Sequence, residues 1–167
     1  MSLGRTLRHL VADRGDIDRV LDRAALDRLE RQVAASEAGH SGEIRLCVEA
    51  ALPWRYLRGG ASARDRALAM FSKLRVWDTE HDNGVLVYLL LADRAIEVVA
   101  DRALHRRVPA ADWQALIDTM QPMLRDGRHE AALQTTIATL DSWLRQHFAL
   151  AEGARNPDEL PNRADLR

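Results

Sequence analysis

What this 167-residue chain lacks narrows its identity before any motif is read. Cys47 is its only cysteine, so an internal disulfide is excluded and no cysteine-pair metal site can form. Charge of one sign is missing as well. The formal net charge is −1, which gives no global basis for nucleic-acid binding. The basic residues are almost all arginine, because Lys73 is the sole lysine. No apolar stretch approaches the roughly 20 residues that a membrane-crossing helix needs. Arg5, Arg8, His9, Asp13 and Arg14 break up the N-terminal segment, so it lacks the apolar core of a secretory signal. The expectation is a cytosolic protein. Neither a phosphate-cradling loop nor a dinucleotide fingerprint nor an H-E-x-x-H pair occurs. Cys47 is not followed by the Cys-x5-Arg loop of a thiol phosphatase, and reads as a small packed residue.

What is present is an ordinary globular composition, 47% apolar and 29% charged, in a chain long enough for one well-buried core. The organising stretch runs from Trp77 to His105. Val85 to Leu91 is an unbroken apolar run, as expected of a central strand covered on both faces. Ala92-Asp93-Arg94 is short enough only for a hairpin loop, and Ala95 to Ala100 returns antiparallel. The exit of that hairpin, Asp101 to His105, must therefore lie beside its start, His81-Asp82-Asn83.

Upstream, residues 3–14 place Leu3, Leu7, Leu10 and Val11 on one helical face. A short helix packed on the domain is the expected reading. A basic amphipathic helix in peripheral contact with a membrane is the alternative. Gly15-Asp16 should interrupt it. Asp22 suits the N-cap of a helix over 23–38 with Leu26, Leu29 and Val33 inward, and Gly39 suits its C-terminal end. Glu37 falls in that helix's last turn, where a carboxylate opposes the dipole. Glu43 to Ala50 alternates, with Ile44, Leu46 and Val48 on one face, and forms the first strand. A loop over 51–62 leads through the capping pattern Ser62…Asp65 into a helix over 63–75. Strand, helix and strand in this order imply a parallel pair with a right-handed crossover. Helices over 110–125, kinked at Pro122, and 128–148 complete the core. The organisation expected is a helical extension over 1–21, an α/β domain over 22–150, and a disordered or loosely docked tail over 151–167. The fold class is α/β: a three-layer sandwich in which a small mixed sheet, a βαβ unit plus a hairpin, has helices on both faces.

A parallel first strand brings the turn Glu37–Gly42 to the same sheet end as His81–Asn83 and Asp101–His105. The gathered set is Glu37, His40, Ser41, His81, Asp82, Asn83, Asp101, Arg102 and His105. Clustered carboxylates repel and call for a cation or an arginine. Asp82, Glu37, Asp101 and His105 are the candidate metal ligands, while Arg102 and His81 are the candidates for holding a substrate anion. Taken alone, Asp82-Asn83-Gly84 is equally what an Asx turn at the start of a strand requires.

The segments SEAGHSGEIRLCVEA, RDRALAMFSKLRVWDTEHDNGVLVYLLLADRAIEVVADRALH and MQPMLRDGRHEAAL together resemble the TPM-domain family over about residues 22–148. The specific parts are Asp82-Asn83-Gly84-Val85 and the Pro122 helix followed by Arg125-Asp126-Gly127. The resemblance implies a mixed sheet between helices and divalent-cation binding, calcium or magnesium, near the Asp-Asn-Gly turn. It also implies, for some relatives, a weak acid-phosphatase activity and, for others, a part in maintaining membrane complexes. Relatives are commonly exported and membrane-anchored, and this chain shows neither signal nor span. Where many carry a Gly-Leu-Glu core after the hairpin, this chain has Ala103-Leu104-His105. A histidine in place of a carboxylate favours a transition metal over calcium. Two functions follow as expectations. One is a non-enzymatic cation-binding or interaction module acting on a protein partner. The other is a metal-assisted phosphatase with Asp82 and Asp101 on the ion and Arg102 on phosphate.

Overall fold

A computed structural model describes residues 3–151, 153–157 and 159–167. The elements run α1 (Leu3–Val11), α2 (Arg14–Val20), α3 (Arg23–Glu37), β1 (Ile44–Glu49), α4 (Trp54–Arg58), α5 (Ala63–Lys73), β2 (Val85–Leu90), β3 (Ala95–Ala100), α6 (Arg102–His105), α7 (Ala110–Arg125), α8 (His129–Phe148) and β4 (Asp165–Leu166). The sheet order is β3-β2-β1-β4. β1 and β2 are parallel, in the register Leu46 to Val87, and β3 is antiparallel to β2, pairing Val85 with Ala100. The expected βαβ unit plus hairpin is thus present.

All six residues of β2 are buried because both sheet faces are covered. One layer buries Ile44, Leu46, Val48, Val85, Val87 and Leu89 against Ile17, Leu29, Val33, Leu116, Leu133 and Leu140 of α2, α3, α7 and α8. The opposite layer buries Cys47, Leu86, Tyr88 and Leu90 against Leu57 of α4 and Ala67 and Met70 of α5. The period-2 alternation of β1 decides which residue enters which layer. Burial pushes the Cys47 thiol up to about 12, with the Asp165 and Glu49 charges adding to it, so it is not a nucleophile at neutral pH.

Four local expectations are corrected. Gly15-Asp16 does not simply interrupt a helix. Asp13 caps a new one, α2, in a reciprocal capping box with Asp16, and Ile17 and Leu21 then enter the core. The supposed extension over 1–21 therefore supplies core residues. Gly39 is not a left-handed cap. It leaves room for Arg145, whose Nη2 donates to the carbonyls of Ala35 and Ser36, and a Cβ at Gly39 would lie 1.8 Å from that guanidinium. α1 does pack on the domain, but through its polar face. Arg5 donates to Asp93 at 2.8 Å and His9 touches Asp93 at 3.0 Å, while the apolar stripe faces outward. Finally, the C-terminal segment is not loose over its described part from 159 to 167. β4 adds in parallel to β1, the Arg167 amide donates to the Val48 carbonyl at 2.9 Å, and Leu160 is buried. The Arg45 guanidinium binds the carbonyls of Pro161 and Arg163.

Candidate functional site

Gly84 sets the geometry of the sheet end. A Cβ there would lie 2.0 Å from the carbonyl oxygen of Val76, so the segment before β2 closes down on the strand only because this residue is glycine. Asp82, two residues earlier, has φ of +51°, in the left-handed region that Asp tolerates better than most residues. Its carbonyl accepts the Ala103 amide at 3.0 Å, and the Gly84 carbonyl accepts that of Asp101 at 2.9 Å. The Asp82 turn and the hairpin exit are thereby stitched together, as the antiparallel pairing requires.

On this frame Asp101 is the N-cap of α6. One carboxylate oxygen accepts the Arg102 amide at 2.7 Å, and the side chain is buried. Arg102 lies across both acids. Its Nη2 donates to Asp82 at 3.2 Å, and its Nε is 3.7 Å from Asp101. Asn83 is fully buried, donates through its side-chain amide to the Ser41 hydroxyl at 3.1 Å, and through its backbone to the Thr79 hydroxyl at 3.2 Å. Asp82, Asn83, Asp101, Arg102 and Ser41 therefore share one end of the sheet.

The remaining predicted residues go elsewhere. Glu37 turns inward, where Oε1 accepts the Ile44 amide at 2.8 Å; the last turn of α3 is thereby tied to the start of β1. It borders a recess of about 340 Å³ with Arg155, Asn156 and Asn162. His105 is exposed on the other side, its ring 6.4 Å from that of Trp113, at the rim of a groove of about 380 Å³ between β3 and α7. His81 is exposed on its turn. Among the described residues, no three His, Cys, Asp or Glu side chains are grouped so as to hold a metal ion. The expected ligand set Asp82, Glu37, Asp101 and His105 does not assemble.

Two buried acceptors at the sheet end, Asn83 Oδ1 and Asp101 Oδ2, have no hydrogen-bond donor among the described residues. Such orphans are the mark a cation site would leave. They do not converge, however. Asp101 pairs with Gly84 on the layer that carries Val76, whereas Asn83, one residue earlier, reaches Ser41 on the opposite face. The residues present do not fit a divalent ion held by the expected set.

Sequence reasoning missed three polar clusters. Glu49 and Arg66 form a buried bidentate pair at 2.7 and 2.8 Å, with the Tyr88 hydroxyl donating to Glu49 at 2.6 Å. Asp93 gathers Arg5 and His9. Ser36, His40 and Asp141 meet between α3 and α8, with Ser36 Oγ 2.9 Å from His40 Nε2 and 2.8 Å from Asp141 Oδ1. The last resembles a nucleophile triad in composition only. The serine hydroxyl donates to Asp141, so His40 Nε2 must be the donor to the serine oxygen and cannot act as its base. Burial pushes the His40 imidazole below the usual histidine value, although the Asp141 charge opposes this. The cluster pins the ends of two helices. Its only sequence signal is Ser36 and His40 at a spacing of four, which is too common to single out.

A family model described as the TPM domain matches residues 15–142. Among solved structures, the chain is similar to the NMR structure of the BA42 protein from the psychrophilic bacterium Bizionia argentinensis. The TM-score is 0.74 and the identity 22%, over 86% of this chain and 93% of that one. At that identity the likeness speaks for the fold alone. No match was found among curated proteins.

Proposed function

We propose, from the premise that this chain belongs to the TPM domain family, that it is a non-enzymatic interaction module in which Arg102 takes the place of a divalent cation. The observation that carries this reading is the guanidinium itself, 3.2 Å from Asp82 and 3.7 Å from Asp101. It supplies positive charge to both carboxylates at the end of the sheet where the sequence places a candidate ion. The phosphatase alternative needs Arg102 to leave both acids to metal and turn to phosphate. Its nucleophile would have to be water activated by that metal, since Cys47 is buried and the Ser36 hydroxyl is committed to Asp141. The exposed surface beside this end is cationic, with Arg102, Arg106 and Arg107 all solvent-facing. Beside it the groove between β3 and α7 is lined by Val98, Trp113, Leu116 and Ile117. This combination suits a protein partner that presents an apolar side chain flanked by carboxylates.

Thermal melts with calcium, magnesium, manganese and zinc test the reading on the parent, Arg102→Ala and Asp82→Ala. The parent should not respond. Removing Arg102 should open a metal-responsive site at Asp82 and Asp101, with stabilisation of about 2–3 kcal/mol at a hundredfold excess over the dissociation constant. Metal stabilisation of the parent that Asp82→Ala abolishes would restore the cation-binding reading. Metal-dependent hydrolysis of a phosphomonoester by the parent, lost in Asp82→Ala, would restore the phosphatase.

A further inference from the structure

α1 is an amphipathic helix mounted the wrong way round for a soluble protein. Leu3, Leu7, Leu10 and Val11, at helical spacing on one face, are 63–91% exposed. The polar face is the one that docks. Arg5 bonds Asp93 and the Ala61 carbonyl (2.8 Å), Arg8 donates to the Ala92 carbonyl at 2.9 Å, and the buried His9 accepts the Leu52 amide at 3.0 Å while its other ring nitrogen meets Asp93. Three polar residues hold the helix firmly with its apolar side out. This orientation forgoes the ordinary gain of burying leucine, unless something outside the chain covers the stripe.

The surroundings indicate what covers it. The segment under α1, residues 52–61, carries α4, where Trp54 is more than half exposed and Arg55 and Arg58 face solvent. Arg8, Arg14 and Arg94 are exposed on α1, just after it, and on the adjoining hairpin. Several acids nearby are engaged: Asp93 with Arg5, His9 and, at 3.9 Å, Arg8, and Asp16 with Arg19; Arg14, Arg55, Arg58 and Arg94 remain exposed. An outward leucine stripe, with exposed arginines and an exposed tryptophan on the segments next to it, is the composition of a surface that lies in a bilayer interface. A second copy of the chain placed on this face by a twofold axis would bring the same arginine-rich rims together. Anionic headgroups complement them instead. We propose that α1 and the Trp54 turn form a peripheral docking surface for an anionic lipid bilayer. The surface lies at the end of the sheet where β1 and β2 finish, so the Asp82–Arg102 end would face away from the membrane.

The test is co-sedimentation with vesicles of phosphatidylcholine alone and of phosphatidylcholine with phosphatidylglycerol, using the whole chain, Leu7→Asp/Leu10→Asp and Trp54→Ala. These positions are exposed, and unchanged thermal melts would show that each variant is folded. The parent should bind the anionic vesicles at least tenfold more strongly than the neutral ones, with binding falling as salt rises. The double variant should lose binding by tenfold or more, and Trp54→Ala should weaken it. Failure of the parent to sediment with anionic vesicles, or equal binding by the double variant, would overturn the proposal. So would concentration-dependent dimerisation of the parent that Leu7→Asp/Leu10→Asp abolishes, which would make a second copy the occupant.

Discussion

Replacing Glu49 with leucine should destabilise the fold by about 3–5 kcal/mol, although it adds apolar surface to an apolar layer. The reason lies in what remains behind. The Glu49 and Arg66 side chains are 4% and 5% exposed, and they share two hydrogen bonds. The Glu49 hydrogen bond holds Arg66 above the ordinary arginine value against desolvation; once the partner is removed that support is gone, but the guanidinium is intrinsically so basic that Arg66 stays charged, now buried and unpaired. Tyr88 loses the acceptor of its 2.6 Å bond in the same step. For a chain of this size the cost corresponds to a fall in melting temperature of roughly 10 °C, at about 2–4 °C per kcal/mol. The triple variant Glu49→Leu/Arg66→Met/Tyr88→Phe leaves no buried polar group uncompensated and should recover most of the loss. Equilibrium urea unfolding at neutral pH, with the m-value checked for constancy, measures each step. A single substitution costing less than about 1 kcal/mol would mean that water reaches Arg66, and the argument from burial would fail.

Two further outcomes are expected. Burial works against the Asp93 charge, but hydrogen bonds from Arg5 and His9 outweigh it and hold the carboxyl below its ordinary value near 3.8. Its contribution is therefore complete above that value and is lost as pH falls through the lower folded value. Melts of the parent and Asp93→Asn should differ by about 2 kcal/mol at pH 6 and converge only as the pH is taken well below 3.8; a gap independent of pH would refute the assignment. Gly84→Ala should cost about 3 kcal/mol or more in urea titrations, because its Cβ would meet the backbone carbonyl of Val76 at 2.0 Å, not the tip of a flexible side chain; a near-neutral result would mean that the turn before β2 is free to shift.

The residues of the organising hairpin carried most of the fold in their own pattern. A fully apolar Val85–Leu90 is stable only between two covered faces, and a four-residue reversal leaves no option but an antiparallel return. Together with the alternation of β1 and the helix before β2, these features settled the parallel pair and hence which turns share an end of the sheet. They are local or steric facts, and they hold whatever surrounds them. Tertiary structure decided which polar group meets which. Topology brings Asp82 and Asp101 to one end of the sheet, but coordination by Asp82, Glu37, Asp101 and His105 would be settled over a few ångströms. At that scale Glu37 answers the Ile44 amide, and Arg102 reaches both acids. The strand Asp165–Leu166 left no periodicity to read, because it is two residues long and is recruited by the backbone edge of β1 and the Arg45 guanidinium. The stripe of α1 was fully legible, and its direction was not. Period 3.6 states that leucines share a face, while only the positions of Asp93, Ala61 and Leu52 determine that the opposite face is the one that docks.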